Sequence, residues 1–327
     1  MTATCAPFAM LKVSICVVTY NHEAFIRQCL QSLVDQRTQW TFEIIVGEDM
    51  SSDGTRRIVQ EFASTYPDLI KPMLHASNLG MVGNYRAVHR AASGEFVCHC
   101  DGDDYWEPGK LDQQIRFLDL HPECAAVFTN SHVISERGGR VGAFSCGVPE
   151  SFDVAYLIRD GNFLHHSSMM YRRRLQDRMF PTASEFIDFH IYVLLGRHGR
   201  LGYIDQPLTS YRAQSSASVI HNDNQRIRRL GWQALAEVTP ADAPKAAIRR
   251  ADASFLADAA YQALRSGRPA EYGDWLTLAL QRSNSSPLLT QLTALRVLAA
   301  STTRKVFFHI RVRLGITSPE SRVFYPK

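Results

Sequence analysis

The stretch "HCDGDDYWEP" (residues 99–108) sets three carboxylates, Asp101, Asp103 and Asp104, into four consecutive positions directly after an apolar run. Two ionised carboxylates about 4 Å apart near a protein surface repel by on the order of 4 kcal/mol. A divalent cation removes that cost. Hard cations such as Mg²⁺ or Mn²⁺ take few carboxylates and keep open positions for phosphate oxygens. An Asp-x-Asp turn at the end of a strand therefore reads as a seat for a metal–diphosphate, where the metal neutralises charge building on a leaving group. The plainer reading is a solvated turn whose acids cap the next helix. An EF-hand is excluded, because the remaining ligand positions and the distal Glu are missing.

Asp49 and Asp53 lie in "GEDMSSDGT". Asp53 fits a helix N-cap, with Gly54 easing the turn. Asp49 falls at a strand end, where a carboxylate can accept the imide N–H of a uracil, and Tyr20 can stack on such a base. Other chemistries lose support. There is no G-x-x-x-x-G-K-[ST] loop for phosphoryl transfer and no G-x-G-x-x-G or G-x-S-x-G motif. "CHC" at 98–100 has the look of a metal pair, but Cys98 and Cys100 share one face of a strand inside an apolar segment, so buried core is expected.

The elements that must position these residues alternate. "KVSICVVTY" (12–20) reads as a buried parallel strand. Asn21 offers an N-cap for "HEAFIRQCLQSLVDQ", whose Phe25, Ile26, Cys29, Leu30, Leu33 and Val34 form one helical stripe. "FEIIVGED", "IKPMLHA", "EFVCHC" and "CAAVFTN" read as further strands, separated by helices over "TRRIVQEFASTYP", "NLGMVGNYRAVHRAASG" and "PGKLDQQIRFLDLHP". Strands alternating with helices predict an α/β domain with a mostly parallel sheet, which binds ligands at the carboxyl ends of its strands. Tyr20, Asp49 and Asp101 all fall there. Past residue 130 a loop containing "ERGGRVG" precedes a helix over "FDVAYLIRDG", a strand over "FLHHSSMMYRRR", a helix over "SEFIDFHIYVLLGRHG" and two short strands around Pro207. From about residue 222 the chain turns Ala-rich and helical, and 286–315 reads as a further helix.

Hydrophobic residues make up 45% and charged residues 21% of the 327, ordinary globular values that allow one large domain with an appendage or two domains. A net charge of +4 without a basic recognition module gives no case for nucleic acid. Seven scattered cysteines read as free thiols in a reducing compartment. No signal peptide and no bilayer-spanning run is evident, so a cytoplasmic protein is expected.

The segments "VSICVVTYNHEAFIRQCLQSLVDQ", "EIIVGEDMSSDGT" and "NLGMVGNYRAVHRAASGEFVCHCDGDDYWEPGKL" together resemble the inverting family 2 glycosyltransferases of bacterial surface-polysaccharide type, which have the GT-A fold. The resemblance is specific over 12–130 and looser over 160–215. It implies a Rossmann-like α/β domain over 12–220, after an N-terminal tail (1–11). A helical extension (221–285) and a basic amphipathic segment (286–327) follow. It implies transfer of a sugar from a nucleotide-diphosphate sugar, UDP-linked for preference, to an acceptor hydroxyl of a glycan or lipid-linked saccharide, with Mg²⁺ or Mn²⁺. Thr19, Tyr20 and Asn21 would line the nucleoside pocket. Asp49 would bind the uracil and Asn84 would lie near the donor. Asp101 would touch the ribose or the metal region, and Asp103 would be the metal ligand.

The resemblance makes Asp188 in "SEFIDFH" the base that deprotonates the acceptor, its Phe and Ile neighbours raising its pKa; Glu185 is the fallback. A carboxylate merely stabilised by the helix dipole is the plainer alternative. Met50 stands where relatives have Gly, Glu48 where many have Asp, and Gln214 where a His helps hold the metal or diphosphate; Arg212 could take up part of that role. His165 and His166 are pocket lining or plain structure. Two rival classes stay open. A sugar-nucleotide pyrophosphorylase would carry a Gly-rich loop where "TYNHEAF" stands, and a non-catalytic scaffold would have no use for the intact acids. The C-terminal helices could bind a partner, form a homo-oligomer, or rest on anionic lipid at the inner face of the membrane.

Overall fold

The computed structural model describes residues 11–159, 161–213, 224–266, 270–283, 292, 294–296, 299 and 323–326. The N-terminal tail, most of the basic C-terminal segment and Gln214 lie outside the described residues.

The first half alternates as β1 (Val13–Thr19), α1 (Ile26–Val34), β2 (Phe42–Glu48), α2 (Thr55–Thr65), β3 (Ile70–Leu74), α3 (Gly80–Ala91) and β4 (Phe96–Asp101). The order β3-β2-β1-β4 is parallel throughout. Both faces of these strands are apolar because helices cover both. α1 presents Ile26, Cys29, Leu30 and Leu33 at helical spacing. With Ile58, Val59 and Phe62 of α2 they pack on Val13, Ile15, Val17, Cys98 and Cys100. The opposite face takes Tyr85 and Val88 of α3 over Cys16, Ile45 and Val97. The register sets Thr19 beside Glu48 and Val18 beside Asp101, so three strand ends line up along one rim.

Beyond β4 come β5 (Tyr105–Trp106), α4 (Lys110–Leu120), β6 (Cys124–Ile134), β7 (Arg140–Cys146), β8 (Ser151–Phe152), α5 (Val154–Arg159), β9 (Met170–Arg172), α6 (Asp188–Gly196) and β10 (Arg200–Arg212). Here the sheet is mixed, with β9 inserted antiparallel between β4 and β6. The strand expected over "FLHHSSMMYRRR" shrinks to three residues, because His166–Ser168 coil into a 3₁₀ turn that serves the acidic loop. The glycine-containing turn after Ser135, with Gly138 at φ 83°, folds β7 back on β6 as an unforeseen strand. The two strands expected around Pro207 are one. β10 runs through with register shifts on either side of the proline, which has no N–H to give the ladder. Its far end pairs with β5 and so ties the acidic loop to the end of β10.

The helical extension comprises α7 (Asn224–Ala236), α8 (Lys245–Ser266) and α9 (Ala270–Ser283). Arg197, at the end of α6, clamps Asp242 through two hydrogen bonds of 2.9 and 3.1 Å and donates to the Glu237 carbonyl at 2.7 Å. Among the described residues no helix is long and apolar enough to cross a membrane.

Candidate active site

The three crowded acids end in three different environments. Asp104 is buried, and protein donors fill it: Ser167 Oγ at 2.6 Å and His165 Nε2 at 2.8 Å on one oxygen, the Arg212 N–H at 3.1 Å on the other. It pins the loop. Asp101 accepts from His99 Nε2 at 3.1 Å and from Ser167 Oγ at 3.3 Å. Burial alone would raise its pKa, but the facing imidazoles of His99, His166 and His165 outweigh that and hold it below the usual carboxylate range. Asp103 has no side-chain donor among the described residues. Burial, then the charges of Asp104 and Asp101, push it well above its ordinary value.

An oxygen pair left uncompensated among like charges suits a hard divalent cation. Two buried polar atoms beside the neighbouring Gly102, Thr19 Oγ1 and His22 Nδ1, also lack a partner among the described residues. A Cβ on Gly102 would press into both, at 2.7 and 2.8 Å. Among the described residues no three His, Cys, Asp or Glu side chains group to hold an ion by themselves. The donor set therefore fits a cation that takes one or two carboxylates here and its remaining ligands from phosphate and water.

Asp49 is buried beside β1, its N–H bonded to the Thr19 carbonyl at 3.1 Å. Its Oδ1 accepts the Leu79 N–H at 2.7 Å, while Oδ2 has no donor among the described residues. Tyr20, Met50 and Leu79 are exposed on the adjoining loops, an apolar rim around a buried acceptor. Asn21 does not cap α1, whose N-cap is Phe25 without a side-chain bond. Instead its Oδ1 accepts the Ser52 N–H and its own N–H goes to Ser51 Oγ, which staples the first two strand-end loops together. Asn21 and Met50 are the two non-glycine residues with positive φ among the described ones, at 54° and 59°. Asp53 accepts the Thr55 N–H at the start of α2 and the Glu23 N–H across the loops. Glu48 is buried against Arg56 and the Ser51 N–H, a structural ion pair.

Two expected contacts look inward. Asn84 donates to the Gly47 carbonyl at 2.8 Å and meets His75 Nε2 at 3.0 Å, so its amide is spent on the protein. Arg212 is buried, with its guanidinium over the Phe25 ring and its donors on the Asp103 carbonyl, the Glu136 carbonyl and Gln28. It straps the acidic loop to α1 and to the β6–β7 turn.

Asp188 opens α6. Its carboxyl accepts from the Phe189 N–H at 2.8 Å, Tyr192 Oη at 3.2 Å and Asn162 Nδ2 at 3.2 Å. Burial still wins over these donors and raises its pKa. Glu185 is half-exposed in an ion pair with Arg226 of α7.

The "CHC" cysteines are core on one face of β4, as expected, but His99 on the other face begins a chain. Its Nδ1 lies 3.1 Å from His89 Nε2, and His89 Nδ1 lies 3.0 Å from Tyr171 Oη. Of the two vicinal histidines, His165 bonds Asp104 and Ser131, and the ring centroid of His166 lies 4.2 Å from that of His99. Sequence reasoning missed Ser167, Asn162 and Tyr192. Tyr192 carried a signal, standing four residues after Asp188 on one helix face; Asn162 carried none.

The glycosyl transferase family 2 model matches residues 14–180. An uncharacterized protein of Mycobacterium tuberculosis is 36% identical over 225 residues, which cover 68% of this chain and 64% of that protein, just under two thirds of its length. The Bacillus subtilis glycosyltransferase TuaG, named for teichuronic acid biosynthesis, is 25% identical over 228 residues, covering 69% of this chain and 88% of that one. The crystal structure of Staphylococcus aureus TarS 1–349 in complex with UDP-GlcNAc superimposes with a TM-score of 0.60 at 20% identity, over 88% of this chain and 89% of that one. At that identity the likeness speaks to the fold.

Proposed function

The chain belongs to glycosyl transferase family 2, and on that premise we propose that it transfers a sugar from a UDP-sugar to an acceptor hydroxyl, with inversion, in polysaccharide synthesis. The observation that carries this reading is the carboxylate of Asp103, which has no side-chain donor among the described residues, on the same rim as the buried acceptor Asp49 and within one fold of the acid Asp188. Asp49 Oδ2 accepts the imide N–H of the uracil, and Tyr20 stacks on the ring. Asp103, with Asp101 beside it, would hold Mg²⁺ or Mn²⁺, whose charge offsets that of the departing diphosphate.

Asp188 takes the proton of the acceptor hydroxyl. The freed oxygen attacks the anomeric carbon from the side opposite the diphosphate, and the bond to the phosphate oxygen breaks with its electron pair on the UDP. The configuration inverts in one step. A raised pKa suits Asp188 to the work, since a base near the working pH takes up the proton most readily. TuaG's name and the UDP-GlcNAc held by TarS support the substrate classes. We read the enzyme as cytoplasmic, with peripheral membrane contact to be sought by flotation on anionic vesicles.

The test is UDP release from a panel of UDP-sugars with Mn²⁺. Metal-dependent release that EDTA abolishes is expected. Release of pyrophosphate from UTP and a sugar 1-phosphate instead would contradict transfer.

A further inference from the structure

The three donors to Asp188 are unevenly shared. Among the described residues Oδ2 receives both the Tyr192 hydroxyl and the Asn162 amide, whereas Oδ1 receives only the Phe189 N–H. A carboxylate offers about two lone-pair positions per oxygen. Oδ2 is therefore full and Oδ1 keeps one position open.

The Tyr192 hydroxyl is also 3.1 Å from His166 Nδ1. Its ring is fully buried and packed edge-on against Phe128, with centroids 4.9 Å apart, so the hydroxyl is held in place. A phenol has one proton for these two neighbours. Given to ionised Asp188, it leaves the phenol oxygen to accept from His166 Nδ1–H, which sets the tautomer of that imidazole. His166 belongs to the same 3₁₀ turn as Ser167, which bonds Asp101 and Asp104. One three-residue segment thus touches the acidic loop with one side chain and the partner of the base with the next.

We propose that the His166–Ser168 turn fixes the base relative to the donor acids, with Tyr192 as the positioning residue that passes the hold of His166 to Asp188 Oδ2 and leaves Oδ1 to take the acceptor proton. This rests on the reading of Asp188 as the base. The titratable groups facing the carboxyl are Tyr192 on its own helix, Tyr85 on α3 and Asp101 on β4, with His166 behind the phenol. Glu185 and His190 are turned away, to Arg226 and Glu237 of the extension.

The test is a double-mutant cycle on the full chain, read as kcat, KM for the UDP-sugar and the pH profile of kcat. Tyr192→Phe keeps the ring and removes the hydroxyl. It should lower kcat on the order of tenfold, the scale of one hydrogen bond to a charged group, with KM for the donor within about twofold of wild type. Because that hydroxyl favours the ionised carboxyl, its loss should move the acidic limb of the profile to higher pH. His166→Phe should cost less, should be rescued by His166→Asn, whose amide can donate near the place of Nδ1, and should cost nothing further once Tyr192 is Phe. Multiplying effects, or an unmoved acidic limb, would overturn the proposal. Should Tyr192→Phe fail to fold, Asn162→Ala withdraws the other donor to Oδ2 and must move the limb the same way. Asp188→Asn is assayed alongside. Turnover surviving in it contradicts the base reading; an inactive Asp188→Asn with a multiplicative cycle contradicts only the positioning.

Discussion

Asp103 and Asp188 are both carboxyls whose pKa burial raises, and they differ in what surrounds them. Asp103 sits among like charges with no side-chain donor among the described residues. Asp188 sits among apolar side chains with three donors. On the proposed reading a divalent cation offsets the cost in the first place. In the second it is met in part by hydrogen bonds, and what is left suits the group to take up a proton. Asp104 has both of its oxygens taken by protein donors and, on this reading, does neither job. Environment divides the roles among chemically identical groups.

The comparison breaks most plainly at Asp103. Asp103→Asn should lower kcat/KM by about a thousandfold or more, since the charge on the leaving group loses its counterweight. It should not lower the melting temperature of the metal-free protein, because it removes a charge the fold does not satisfy. A clear loss of stability in a calorimetric scan would mean that Asp103 has a structural partner.

Asp188→Asn should cost kcat on the order of 10²–10⁴-fold, the usual share of general base catalysis, with UDP affinity unchanged by titration. In the wild type, kcat should fall as pH drops through the raised pKa of Asp188. The acidic limb is expected above the ordinary carboxylate value of about 4. A limb at or below that value would contradict a desolvated base.

Asp104→Ala should destabilise by about 3–5 kcal/mol, because it strands buried donors on His165, Ser167 and Arg212. Chemical denaturation measures this directly, and a neutral result would place Asp104 among the functional acids instead. The smallest effect is expected at Met50, held at φ 59°. Met50→Gly relieves a left-handed cost of roughly 1–2 kcal/mol and pays part of it back in unfolded-state entropy. The melting temperature should rise by about 1–2 °C; a fall would show that the Met side chain itself holds the loop.

Legibility followed the range of the interactions. The β1–α1–β2–α2 half was readable because each strand is one apolar run and each helix carries its own stripe, so Tyr20, Asp49 and Asp101 could be set on one rim beforehand. Past β6 the deciding contacts join distant segments. β9 is three residues long and exists only because β4 and β6 accept it on either side. Pro207 looked like a break until β6 tolerated its bulge. Asn21 looked like a cap until Ser51 and Ser52 came to meet it. The acids were found by type and position, and the resemblance gave Asp101, Asp103 and Asp188 their expected roles. The filling of Asp104 by protein donors was not legible, because it depends on Ser167, His165 and Arg212, more than 60 residues further along the chain.

The most direct measurement is calorimetric titration of UDP into the wild type and Asp103→Asn, each with and without Mn²⁺. The account predicts that Mn²⁺ tightens UDP binding to the wild type at least tenfold and leaves the variant's weak binding unchanged. Equal gains from Mn²⁺ in both proteins would contradict it.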